Sequence, residues 1–276
     1  MKRTVERPDP LPVPRVTGRL GFRAGRGGTH AARTMMLSDL VRLFERTAPD
    51  ASATAYREAI VVANELAKPT RSARVLAHEH LKTLYALDPE VPVFRLLRHL
   101  WDRDPAARPQ LAFAAAVARD PLLRISTPWL LAIRTGETVT REATEAHLHA
   151  IFPDRFSPVM RAALAQRLNG TWTQAGFLRG RVHKTRAHPV VTPVNLAFNL
   201  FLGYLGGSTG DALFKTPWVA LLDVSAREEM DALLRSAAHQ ELLVWRAAAS
   251  VTELRFPGWL TPRELTWREE MSREQA

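Results

Sequence analysis

The sequence predicts a predominantly helical, all-α chain with helix-turn-helix and winged-helix elements and short β-hairpin wings. Three observations lead there. Apolar residues recur every third or fourth position along most of the chain, the period of a helix with one buried face. Helix-start residues such as Ser157-Pro158, Thr70 and Thr140, and stops such as Gly176 and Gly206-Gly207, punctuate those runs. Finally, residues 157–188 join an amphipathic helix directly to a short, Gly-punctuated basic run, which is how a winged helix-turn-helix reads in sequence.

Within that stretch Ser157 caps free N–H groups and Pro158 suits the first helical turn. Met160, Leu164, Leu168 and Trp172 form one apolar stripe, and Ala162, Gln166, Asn169 and Thr173 lie opposite it. After the stop at Gly176 come Phe177 and Leu178. A basic run follows, Arg179, Arg181, Lys184 and Arg186, with His183 and His188 among the cations and Gly180 and Pro189 as punctuation. The expectation is a helix in the major groove that offers Gln166, Asn169 and Thr173 to base edges. The hairpin would set its four cations on phosphates. Between Arg155 and Gly210 there are seven cationic residues and no Asp or Glu. A run of one sign makes a local positive field, whereas a merely solvated face mixes signs.

Composition agrees with an anionic partner. The 276 residues carry a net charge of +10, and 46% hydrophobic residues can bury a substantial core. Lys occurs only at positions 2, 68, 82, 184 and 215. GC-rich coding explains Arg in place of Lys but not the excess of cations over anions. Without a Cys, disulfides, Cys-ligated zinc, iron–sulfur clusters and thiol nucleophiles are excluded. The longest apolar run, residues 190–205, is interrupted by Thr192, Pro193, Asn195 and Asn199, and the N-terminus has no secretory apolar core. A soluble, cytoplasmic protein with no cofactor and no membrane contact is expected.

In chain order, residues 1–29 are rich in Pro, Gly and Arg and read as a disordered basic arm. An N-terminal helical, helix-turn-helix-like domain is expected over 30–136. Its first amphipathic segment is marked by Met35, Met36, Leu40, Leu43 and Phe44, and its second by Tyr56, Ile60, Ala63 and Asn64. Lys68-Pro69-Thr70 breaks the second, and Thr70 caps a third helix with Val75, Leu76, Leu81 and Leu84 inward. Lys68 in the turn and Arg71, Ser72 and Arg74 in the first turn of that helix are placed to share a phosphate. Another helix runs from Phe94 to Trp101 and closes at Asp104-Pro105, and an Ala-rich one covers 110–117. A short one covers 128–133.

A winged-helix-containing C-terminal domain is expected over 137–260. Its first helix spans 140–151, capped by Thr140 with Glu142 in the first turn. His147 and His149 are two apart, face different sides and build no metal site. After the central stretch, 194–205 is an apolar helix and Trp218, Leu221 and Leu222 mark a short one. Ser225 caps the next, with Leu233 and Leu234 inward. Val251, Leu254 and Phe256 suit a strand of a second, less basic hairpin. Residues 261–276 form a charged tail helix.

No catalytic pattern emerges. Gly-Gly-Ser-Thr-Gly at 206–210 lacks the Lys of a P-loop, and no G-x-S-x-G elbow or His pair at i, i+4 occurs. Asp102/Asp104 flank a helix end, and Glu228/Glu229/Asp231 offset a helix dipole.

The turn Asn64-x-Leu66-x-Lys68-x-Thr70-x-Ser72-x-Arg74 precedes a long helical middle and the segment Trp172/Gln174/Ala175/Gly176/Phe177/Leu178. Together, over roughly residues 35–180, these resemble the BrxA family of the BREX bacteriophage-defence systems. The resemblance implies a small, mostly helical, non-enzymatic protein that binds double-stranded DNA beside a methyltransferase, an ATPase and other defence components. Two alternatives stand beside it: a protein-interaction scaffold whose basic surface meets an acidic partner, and a winged-helix transcriptional regulator.

Overall fold

A computed structural model of the chain describes residues 17–25, 27–248 and 251–275. The order of elements follows from local chemistry. Helices α1 (Leu37–Arg46) and α2 (Ala53–Arg57) open it, and α2 runs on into a π-helical turn, Glu58–Val62. Asn64 then takes a left-handed conformation, φ 56°. Its amide brackets the turn: the Lys68 backbone N–H donates to Asn64 Oδ1 (2.8 Å) and Asn64 Nδ2 donates to the Lys68 carbonyl (3.1 Å). Thr70 caps α3 (Arg71–Tyr85), accepting from the Ala73 N–H at 3.1 Å.

Helices α4 (Pro92–Leu100), α5 (Arg108–Arg119) and α6 (Pro121–Leu131) follow. Asp120 caps α6 through the Leu122 and Leu123 N–H groups, so this helix begins seven residues before Pro128, which lies inside it. Next come α7 (Arg141–Ile151), α8 (Pro158–Gln174), β1 (Leu178–Arg179) and β2 (Thr185–Arg186). The remainder is α9 (Pro193–Leu205), α10 (Pro217–Ala220), α11 (Arg227–His239), β3 (Val244–Ala248), β4 (Val251–Arg255) and α12 (Pro262–Gln275). The fold is mostly helical with two small antiparallel sheets. Among the described residues no helix is long and apolar enough to cross a membrane.

Helices α5 and α9 form the centre. Gln110–Ala118 of α5 is buried on every side, because its run of Ala lets neighbouring helices approach closely. Helix α9 is apolar nearly all round and correspondingly enclosed. The buried apolar side chains from Leu20 to Leu254 make one cluster, which runs through the boundary expected at 136/137.

The arm expected over 1–29 lies outside the described residues up to position 16. Within the described part of it Leu20, Phe22 and Thr29 are buried, and Phe22 meets Trp218 at 5.3 Å. Arg119 donates to the Gly21 carbonyl (2.6 Å) and Arg124 to that of Arg23 (2.7 Å), tying this segment to α5 and α6. The charged tail helix also docks, with Glu264 paired to Arg95 at 2.6 Å and the Arg268 guanidinium over Tyr204. Two smaller expectations change. Val75 and Leu76 are exposed, because Ala77, His78, Leu81, Leu84 and Tyr85 form the inner face of α3. Ser225 does not cap α11, whose N-cap is Ala226.

Candidate nucleic-acid interface

Helix α8 begins as its sequence requires. The Met160 N–H donates to Ser157 Oγ (3.3 Å) and Pro158 occupies the first helical position. It ends where Gly176 takes φ 88°, a conformation natural only to glycine. Leu164, Leu168 and Trp172 are fully buried, while Met160, at the edge of that stripe, is 40% exposed.

Two neighbours clamp the flanks of α8. On one side α7 packs against it, and Thr144 Oγ1 donates to Asn169 Oδ1 at 2.9 Å. On the other side lies the segment 29–35. There His30 is fully buried between Asp120 and Thr171, with Nδ1 at 2.9 Å from Asp120 Oδ2 and Nε2 at 2.8 Å from Thr171 Oγ1. Burial pushes the Asp120 carboxyl upward, but the charge and hydrogen bonds of His30, with the Leu123 N–H, outweigh it and hold it below its ordinary value. Met35 N–H also donates to Thr171 Oγ1, and Gly170 passes so close to Thr34 that a Cβ would press on it. An Asp, a His and a hydroxyl in line invite comparison with nucleophilic catalysis. All three are fully buried, so what they do here is lock α8 to the N-terminal segment.

The hairpin is held to the body by a third stretch of chain. Thr138 bridges Thr185, Val139 N–H donates to the Lys184 carbonyl (2.8 Å), and Gly136 N–H to that of Arg186 (2.8 Å). Leu178 pairs with Arg186 and Arg179 with Thr185. Gly180, φ 102°, makes the turn, and a Cβ there would lie 2.0 Å from the His183 carbonyl oxygen.

This scaffold separates the ten sequence-nominated residues. Arg179 and Arg181 are exposed and, among the described residues, have no partner; Gln166 and Arg71 are also exposed. Lys184 is half-buried and donates to Thr173 Oγ1 (2.8 Å) and the Gly180 carbonyl (3.3 Å), and burial pushes its pKa below the ordinary value. Thr173 Oγ1 in turn donates to the Asn169 carbonyl at 2.6 Å.

Three assignments are corrected. Arg186 is not a phosphate contact: its side chain is 1% exposed, paired with Asp223 at 2.7 Å and set against the Phe177 ring. Asn169 is not placed at base edges, since it is buried beneath α7 with its side-chain Oδ1 accepting from Thr144. Arg74 does not face a phosphate, because it donates to the Val61 and Val62 carbonyls and closes the π-helical turn. Lys68 is partly neutralised by Asp39 at 2.7 Å.

Gln166, Asn169 and Lys184 come together around a cleft of about 400 Å³, with residues 138–142 and Val182 and His183 as its other walls. Lys68, Arg71 and Arg74 are not part of it. Its α7 wall carries Glu142, whose carboxylate is held below its ordinary pKa chiefly by its own backbone N–H. Two apolar side chains that the sequence motifs do not mark stand open to solvent: Val182 on the cleft wall and Val159 in the first turn of α8 are each 82% exposed. The helical wheel held the signal for Val159, which lies on the same face as Gln166 seven residues on. Comparison with protein-family models, with curated proteins and with solved structures finds no match to this chain.

Proposed function

We propose that the protein binds duplex DNA through α8 and the β1–β2 hairpin, arranged as a winged helix. The observation that carries this reading is the order α6, the extended stretch at 138–139, α7, α8, β1 and β2, with 138 bridging β2 and β2 pairing β1. In that order α8 is the recognition helix and the hairpin is the wing. The free guanidinium groups of Arg179 and Arg181 sit on that wing, and a chain of net charge +10 adds long-range attraction.

The protein acts without catalysis, in the cytoplasm. On the resemblance to the BrxA family, it serves a phage-defence system beside a methyltransferase and an ATPase. Gel shifts of a labelled duplex over about 50–200 mM salt test DNA binding, because several phosphate contacts weaken it by orders of magnitude across that range. Absence of any retardation at low salt hands the function to the scaffold reading. A footprint confined to one operator favours a transcriptional regulator. The identity of neighbouring genes tests the defence role separately.

A further inference from the structure

The outward face of α8 has an unusual chemistry. With Asn169 and Thr173 engaged inside the fold, the residues left along it are Val159, Ala162, Ala163 and Gln166, spaced i, i+3, i+4 and i+7. None is charged, although an exposed helical strip normally is. Arg161 and Arg167 on the same helix turn away, donating to Phe156 and Ala31. Val159 is 82% exposed and Met160 40%, both in the first turn, the end of a recognition helix that meets base edges. The free cations nearest in sequence, Arg179 and Arg181, lie on the wing rather than on this strip.

We propose that this face reads thymine: Val159 and, beside it in the first turn, Met160 contact thymine C5-methyl groups in the major groove, and the Gln166 amide takes a neighbouring adenine. The inference rests on the DNA-binding reading and adds a base preference to it. Its chemical ground is that the thymine methyl is an apolar feature of the major-groove edge which T alone carries among the four unmodified bases, and that a carboxamide matches adenine N6 and N7. The occupant is a nucleic acid because Arg179 and Arg181 match phosphate and stand on the wing whose Val182, His183 and Lys184 share a cleft with Gln166, while the strip itself presents no charge for an acidic peptide.

The test uses the full chain and three labelled duplexes of one length: alternating A·T, the same duplex with every thymine replaced by deoxyuridine, and alternating G·C. A fourth carries 5-methylcytosine in place of cytosine. The A·T duplex should bind best, and removing the methyl should weaken binding about fourfold for each methyl contacted, the scale of one buried methyl group. The 5-methylcytosine duplex should bind more tightly than its unmethylated parent. The double variant Val159→Ser/Met160→Gln, with an unchanged melting temperature, should bind the thymine and deoxyuridine duplexes alike. Equal binding of those two duplexes by the unaltered protein overturns the inference while leaving DNA binding intact. A double variant that keeps the thymine preference overturns it as well. Binding to no duplex at low salt removes the DNA-binding reading and the inference together.

Discussion

Twice in this chain a helix runs into an antiparallel hairpin, once as α8–β1–β2 and once as α11–β3–β4, and the two present opposite surfaces. The first helix shows an uncharged strip, and its hairpin shows two guanidinium groups that have no partner among the described residues. The second helix opens with exposed Glu228 and Glu229, and in its hairpin Arg255 is paired with Glu253. The hairpins also differ in anchoring. Only two residue pairs join β1 to β2, which lean on Thr138 as well, whereas five pairs join β3 to β4. Similar local topology therefore does not assign similar function. What distinguishes the two regions is acid among the cations: Glu253 stands opposite Arg246 and is paired with Arg255, whereas β1 and β2 and the turn between them carry none.

The comparison breaks most completely if α8 loses its anchor. Trp172 is fully buried beside Trp129, so Trp172→Ala should cost about 3–5 kcal/mol, the usual cost of emptying a large aromatic site. Chemical denaturation measures it. A variant of ordinary stability that has lost DNA binding would instead make Trp172 a contact residue.

Next in size is the contrast within the first hairpin. Arg186→Met leaves Asp223 with His188 as its one remaining partner among the described residues and strands the Leu130 carbonyl, and should cost about 3 kcal/mol. Arg179→Ala and Arg181→Ala, at exposed and unpaired positions, should stay within about 0.5 kcal/mol of the parent. On DNA the order reverses. Removing Arg179 and Arg181 together should flatten the salt slope by about two units, near one per lost phosphate contact. Arg246→Ala in the second hairpin should leave that slope as it was. If both hairpins contribute equally, the distinction drawn between them fails.

The smallest effect concerns the α7 side of α8. His147 stacks on Trp129 at 4.8 Å, its Nε2 is buried without a partner, and burial pushes its pKa down to about 4 from 6.5. The unfolded chain therefore binds the proton first. Stability is fully present above pH 6.5, declines below it, and the loss is complete under about pH 4. Because the ring is only partly buried, the loss should be about 1–2 kcal/mol. Thermal melts across that range should show the decline, and His147→Phe, which keeps the stack, should flatten this part of it.

Residues 157–188 show how far local chemistry reaches. Ser157, Gly176 and Gly180 each stand where the cap, the stop and the turn form. Leu164, Leu168 and Trp172 are inward as the helical period requires, and the caps at Thr70 and Thr140 form as well. These features depend on a few consecutive residues, so helix, stop and hairpin were legible in order. Val75 and Leu76 show the limit: an apolar residue sits inside only if another element covers it.

The sequence alone therefore determined the helical character, most helix starts and stops, and the existence of both hairpins, because each rests on hydrogen bonds and periodicity within a turn or two. Tertiary structure alone decided which polar groups stay available. Asp223 lies 37 residues from Arg186 and Thr144 lies 25 from Asn169, and those distant partners remove an arginine from the first hairpin and an amide from the helix face. The acid-free run from Arg155 to Gly210 likewise acquires acid in space, from Asp223 against Arg186 and from Glu142 on the cleft wall beside Lys184. Electrostatic fields and burial depend on distance through space, and a linear reading of charge cannot supply it.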